Sequence, residues 1–255
     1  TGKLVYRPIN NKTTSLHIGA AASYRMPKTS STDGYNAVRY STRNTTGVNR
    51  KKYMDTDAIQ YLDHEFAYTF ELAGHHKGLR WEAAYIARKP FVDEAKWIDK
   101  NGEAPNMQQA WGWYVQAGYL LFGGSQNYDA GGAKYTRTNN GREWGDIELC
   151  ARVEYLDLNI SKYVMGGSAY AYSLGLNFHV TRNVKFVVNY QYNDQDIFAN
   201  GKGAQDGTDK TAKNPYCTGY DAAGNVTKFP GDIAPDSKSK GIDYHMLACR
   251  FQVAF

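Results

Sequence analysis

Residues 241–255 read GIDYHMLACRFQVAF, and the order of side chains in this stretch decides the fold. From the end backwards, Phe255, Val253, Phe251, Cys249 and Leu247 form one apolar row, and Ala254, Gln252, Arg250 and Ala248 form a small or polar row between them. A period of two, with one greasy face and one face carrying a charge, describes a strand that separates a non-aqueous medium from a wetter space. Whether the greasy face meets lipid or a protein core is the first question for the rest of the chain.

Composition bears on it directly. Aromatics make up 14% of the 255 residues, with 21 Tyr against 10 Phe, and Tyr suits a membrane interface because its ring is apolar and its hydroxyl wet. Mean hydropathy is −0.61, and no run approaches the ~20 apolar residues that a membrane helix needs. A barrel escapes that test because its outward and inward residues average out. The three cysteines, Cys150, Cys217 and Cys249, lack CxxC spacing, so neither a disulfide framework nor a metal site is indicated.

Working backwards from the terminal strand, alternation gives about nine strands, each near the ~9 to 11 residues that cross a membrane when tilted. They are a stub at 2–8, then 14–26, 57–73, 79–90, 109–122, 143–157, 168–180, 184–197 and the terminal strand. In 57–73 the row Leu62, Phe66, Tyr68, Phe70 and Leu72 is read as outward and Asp63, Glu65, Thr69 and Glu71 as inward. In 184–197 Val184, Phe186, Val188, Tyr190 and Tyr192 face out, Lys185, Asn189, Gln191 and Asn193 in. Outward rows carry almost no charge while inward rows are ionic, the reverse of a soluble sandwich. Aromatics gather toward strand ends, as an interface girdle requires, and short connections at 74–78 and 181–183 contrast with long ones at 27–56, 92–107 and 198–239. The terminal strand running toward the periplasm puts 27–56, 92–107, 159–167 and 198–239 outside; the connection 123–142 should be periplasmic, yet is long and Gly-rich. The expected fold is therefore all-β, an antiparallel transmembrane β-barrel. An open sheet edge cannot sit in lipid and such barrels generally use even strand numbers. Residues 1–255 are accordingly expected to be the C-terminal portion of a single barrel domain, with further strands and an export signal ahead of Thr1.

A closing strand that ends on Phe resembles the last strand of bacterial outer-membrane barrels. The most specific stretch is 113–159, with WYVQAGYLLFGG followed by GREWGDIELCARVEYLDLN. It resembles the late strands of the phosphate-selective porin O and P family, through Gly112, Tyr114, Tyr119, Gly123, Tyr128, Trp144, Glu148, Ala151, Arg152, Tyr155, Asp157, Leu158 and Asn159. The segments LGLNFHVTRNVKFVVNY and RFQVAF are similar to the family as well. Upstream, AVRYSTRNTTGVNRKKYMDTDAI resembles the family's basic segment at Arg39, Tyr40, Arg43, Asp55 and Thr56, but Ser41 replaces a middle Arg and Asn44 a Pro. The resemblance implies a porin-like barrel of about 16 strands in the outer membrane of a Gram-negative cell, assembling as a homotrimer and passing anions. In that family, arginines of the basic segment help line the anion path, and only Arg39 and Arg43 carry over.

The charges are read accordingly. Inward strand positions hold Arg25, Arg80, Arg88, Arg152, Lys185 and Arg250 against Asp63, Glu65, Glu71, Glu82, Glu148 and Glu154, either a salt-bridged wall or a transverse field. Residues 27–56 carry Lys28, Arg39, Arg43, Arg50, Lys51 and Lys52 against Asp33 and Asp55, a cluster that would concentrate anions in a narrow pore or face lipopolysaccharide. The expected pore lining is Arg25, Arg39, Arg43, Arg50, Lys51, Lys52, Arg88, Arg152, Lys185 and Arg250, with inorganic anions and outer-membrane lipid as partners. No cofactor, metal or nucleic acid is expected. His64 and Glu65 lack the second His of a zinc protease, and no GxSxG, P-loop or dinucleotide fingerprint occurs, so the chain reads as no enzyme. Two other readings remain at this point: a non-selective porin or barrel subunit of a larger complex, and a soluble β-sandwich binding module.

Overall fold

A computed structural model of the chain describes residues 1–28, 36–43, 52–101, 104–196, 198–199, 219–220, 226–228 and 243–254. Nine strands pair in sequence order into one antiparallel meander: β1 (Gly2–Asn10), β2 (Thr14–Arg25), β3 (Leu62–His76), β4 (Leu79–Val92), β5 (Ala110–Leu120), β6 (Asp146–Ser161), β7 (Val164–His179), β8 (Val184–Gln195) and β9 (Tyr244–Val253). Neither β1 nor β9 has a second partner strand among the described residues. No described helix is long and apolar enough to cross a membrane.

The greasy rows face outward. Leu174 is 59% exposed, Phe70 57%, Leu247 70% and Phe251 60%, whereas His17, Glu65, Glu148 and Gln191 are all under 5%. A protein folded for water would bury the first group and expose the second. The rows align across the sheet because facing residues in an antiparallel ladder share a face, as in the outward series Leu149, Leu176 and Val188 and the inward series Arg152, Ser173 and Gln191. The sandwich reading, with a dry interior made from these apolar rows, has no counterpart here.

Two belts of rings border the apolar band. Toward the ends of the strands that meet the long loops, neighbouring centroids run from Tyr68 to Tyr85 (6.1 Å), Trp111 (6.0 Å), Tyr155 (5.1 Å), Tyr170 (4.6 Å) and Tyr172 (6.1 Å), then to Tyr192 (6.4 Å) and His245 (4.9 Å). This ring-to-ring chain crosses every strand from β3 to β9. At the opposite end lie Phe122, Trp144 and Phe178, with Phe186 against Phe251 at 5.2 Å. Trp144 and Tyr155 are 11 residues apart; at ~3.3 Å per residue and a ~40° tilt the belts stand roughly 28 Å apart along the membrane normal, close to the ~25 Å band of outer-membrane barrels.

Several expected boundaries move. The first strand is no stub: Pro8 sits in the register shift between Tyr6 and Ile9, where the ladder is already interrupted, and pairing resumes to Asn10. The strand expected at 57–73 starts at Leu62, because Asp57 and Tyr61 adopt positive φ (55° and 57°), which an extended chain cannot hold. Leu62 itself is buried rather than outward, since the register slips between it and His64 and reverses the phase. The outer connection expected at 159–167 shrinks to Lys162 and Tyr163, as β6 and β7 run 16 residues each into a tight hairpin.

Above the membrane band a small core caps the sheet. The helix α1 (Glu94–Asn101) buries Trp97, which meets Tyr61 edge-on at 6.4 Å and Tyr163 at 5.8 Å. Met54, Ile59, Met107, Leu158, Ile160 and Val164 complete the cluster, so the entrance loop rests on the projecting β6–β7 hairpin.

A charge on the outer face tests the assignment of solvents. Leu174→Arg should lower unfolding stability in lipid vesicles by about 2–4 kcal/mol, as for Arg near the bilayer midplane. The neighbouring inward change Ser173→Arg should cost well under half of that. Equal costs in denaturant titrations would mean that the two faces do not meet different media.

Candidate functional site

At the outer end of the inner face, the sequence brings one carboxylate under a cluster of donors. Glu65 of β3, fully buried, faces Arg25 of β2 across the ladder and is ion-paired with it. It also accepts the Tyr40 hydroxyl at 2.8 Å, and Arg88 of β4 stands 3.9 Å away and over the Tyr40 ring. Burial, reinforced by Glu65, pushes the Tyr40 phenol far above its ordinary range. Tyr40 thus ties the loop to the wall. The loop is itself closed by a bridge between Val38 and Ile59 and by pairing of Ser41–Thr42 with Met54–Asp55.

Arg39 lies beside this latch, but it is occupied. Its fork binds both oxygens of the nearly buried Asp55, with Nε at 2.7 Å, and Asp57 lies 3.9 Å away. The hydrogen bond to Asp55 raises the Arg39 pKa further. Arg43 is exposed and makes no ion pair among the described residues. The same holds for the half-buried Lys52, while Arg50 and Lys51 lie outside the described residues.

Below the loop, a polar lattice crosses β4 to β6. Arg152 binds Glu154 through Nε (2.8 Å) and Nη2 (2.5 Å), donates from Nη1 to Gln116 (2.8 Å) and stacks 4.1 Å over the Tyr114 ring. Gln116 passes the chain on to Glu82 at 2.8 Å, and Arg80 lies between Glu82 and Glu148 at 3.7 and 3.8 Å. Nearer β1, Lys3 and His17 share Glu71 at 2.5 and 2.8 Å. Every inward carboxylate of the strands therefore sits on β3, β4 or β6. The inner rows of β7, β8 and β9 hold Ser173, Asn177, His179, Asn189, Gln191 and Asn193 together with Lys185 and Arg250, and no Asp or Glu. Neither Lys185 nor Arg250 has an ion pair among the described residues. Counted along the sequence, wall charges balance; in space they separate into an ion-paired sector and a cationic one.

A cavity of about 490 Å³ lies between the loop and this wall. It brings together Arg39, Arg43, Arg88 and Arg152 of the expected pore lining, with Tyr114 and Gln191 among its other walls. Arg25, Lys185 and Arg250 do not line this cavity. A second space of about 350 Å³ continues along Arg80, Cys150, Arg152 and Asn189.

The opposite mouth holds what sequence reading missed. The connection 123–142 does not hang into the periplasm; it folds across the inner face. Asp146, fully buried, anchors it by accepting from the backbone N–H groups of Phe122 (3.1 Å), Gly124 (2.9 Å), Gly141 (3.0 Å) and Ile147 (2.8 Å). The Tyr128 hydroxyl lies 2.6 Å from His17 on β2, Arg7 of β1 donates to the Ala130 carbonyl at 2.5 Å, and Asn140 donates to the His179 carbonyl on β7 at 2.9 Å. Arg80 stacks 5.4 Å over Tyr135. The available signal was the two tyrosines and paired glycines in a connection too long for a periplasmic turn.

The sequence profile described as phosphate-selective porin O and P matches residues 1–211. Similar curated proteins include an uncharacterized protein of Caulobacter vibrioides, 28% identical over 192 residues, covering 74% of this chain and 36% of that protein. Another is Porin O of Pseudomonas aeruginosa, 26% identical over 224 residues, covering 80% of this chain and 49% of that protein. The chain thus spans between about a third and a half of the length of these relatives.

Two substitutions probe the architecture of the mouths. Tyr40→Phe leaves the buried Glu65 short of one donor and should cost about 1–3 kcal/mol in denaturant unfolding. Asp146→Ala removes the acceptor for four backbone N–H groups, so limited proteolysis should begin to cut between residues 123 and 142, where the wild type resists. An uncut variant would show that the inward fold is held by other contacts.

Proposed function

The chain belongs to the phosphate-selective porin O and P family of outer-membrane β-barrel channels, and from that membership we propose that it forms part of a passive diffusion pore preferring anions such as phosphate. The family is one of channels rather than enzymes. The observation that carries the anion preference is the inner face of β7–β9, whose strand rows hold no Asp or Glu, and where Lys185 and Arg250, like Arg43 above, make no ion pair among the described residues. A low-dielectric pore wall of one sign raises the local concentration of counter-ions and their entry rate. Arg offers a tetrahedral oxyanion two parallel hydrogen bonds, and several moderate sites release an ion faster than a single tight one. Arg43, Lys185 and Arg250 are the transport residues in this reading. Arg25, Arg39, Arg88 and Arg152 shape the path while already ion-paired, Arg25 and Arg88 sharing Glu65, Arg39 with Asp55 and Arg152 with Glu154.

Closure belongs to the proposal too. With the outer edges of β1 and β9 bare among the described residues, and bare strand edges costly in hydrocarbon, the barrel closes through further strands to an even total of about 16. Assembly as a homotrimer among outer-membrane lipid and lipopolysaccharide follows the family. A second reading, a non-selective channel, draws on the paired state of Arg39, one of the two arginines carried over from the family segment.

Planar-bilayer recordings of the full-length protein in a tenfold KCl gradient separate the two. The reversal potential should lie on the anion side, and neutralising Arg43, Lys185 and Arg250 together by Ala should lower the anion-to-cation permeability ratio severalfold. Arg39→Ala alone should change the ratio far less. An unaltered ratio in the triple variant would leave the non-selective channel standing.

A further inference from the structure

The cavity under the entrance loop has a lining that bare phosphate does not need. Phosphate is small and strongly hydrated, so apolar walls add desolvation cost and no contact. The space of about 490 Å³ falls instead in the range of about 300–1,000 Å³ typical for organic ligands. Tyr53 and Tyr244, 5.5 Å apart and tilted by 34°, present ring surface on one side, and Tyr114 lies under Arg152 on another. Two further amides belong to the lining. Asn193 and Gln195, only 6% and 7% exposed, leave Asn193 Nδ2 and Gln195 Oε1 buried with no hydrogen-bond partner among the described residues. Orphaned buried polar atoms are costly, and here one is a donor and the other an acceptor. A fully ionised oxyanion can satisfy only the donor. A hydroxyl satisfies both.

We infer that this cavity takes a phosphorylated sugar, with the phosphate on Arg43, a sugar hydroxyl bridging Asn193 Nδ2 and Gln195 Oε1, and the C–H face of the ring against the Tyr53 and Tyr244 pair. The inference rests on the anion-channel reading and names its solute class. Each group has a partner of matching chemistry: the exposed Arg43 guanidinium for charge, the two amides for a hydroxyl that both accepts and donates, the phenols for a face that is apolar but carries polar edges.

The test uses the full-length protein in planar bilayers carrying a chloride current, with glucose 6-phosphate, inorganic phosphate and glucose as added solutes. Glucose 6-phosphate should block half the current at a concentration about tenfold below that of inorganic phosphate, and glucose should not block. Asn193→Ala and Gln195→Ala should each bring the two half-blocking concentrations together while leaving that of inorganic phosphate in place. Tyr244→Leu, which keeps bulk but removes the ring, should do so partly. Equal block by the two phosphates in the wild type overturns the sugar site and leaves the anion channel intact. A cation-side reversal potential with no block by either anion overturns both.

Discussion

A backbone in hydrocarbon has nowhere to send its N–H and C=O groups except to the next strand, and everything else in this structure follows from that restriction. It demands long, unbroken ladders, so the nine strands pair only with sequence neighbours. It fixes side-chain phase, because a slip of one residue would swap Leu and Phe into the pore and Glu and Arg into lipid. The slip at Leu62 and His64 occurs where β3 leaves the membrane and enters the loop core, and the slip at Tyr6 and Ile9 falls on the edge strand at Pro8.

Once the wall is fixed, the charges acquire positions that counting could not give. Carboxylates of β3, β4 and β6 pair with cations of β1–β6 around Glu65, Glu71, Glu82 and Glu154. Such pairs add little net stability where water reaches them, but they hold long side chains still and keep the bore open. The cations of β8 and β9 have no such partners among the described residues. The barrel cross-section is thus divided into a rigid sector and one whose charge is available to solutes, and the two loops that enter the lumen narrow it at opposite ends.

Much of this was written in the sequence, since period two is a local property. The outward rows of β2, β5, β7, β8 and β9 can be read directly, and so can the gathering of aromatics toward strand ends, though not its resolution into two belts. What escaped depends on contacts between distant residues. Nothing local in Asp57 or Tyr61 announces a positive φ; it arises because Ile59 is pulled into the cluster with Met54 and Trp97. Arg39 looks as free as Arg43 in the sequence, and only the return of the chain at Asp55 distinguishes them. Wall charge counts as even along the sequence, and its separation by strand stays hidden because alternation specifies a face and says nothing of the sector around the bore. The inward fold of 123–142 hangs on Asp146, whose burial cannot be inferred from its neighbours.

The tall β6–β7 hairpin has a mechanical consequence. From the ring of Tyr155 to its turn at Lys162 are seven residues, so at ~3.3 Å each and the same ~40° tilt this ribbon rises roughly 18 Å beyond the upper belt. Leu158, Ile160 and Val164 on that ribbon carry the small outer core, so the entrance is mounted on a cantilever rooted in the membrane wall. Stiffness is borrowed from the bilayer-embedded ladder, and the guanidinium at the doorway keeps its address without a thick protein domain to support it.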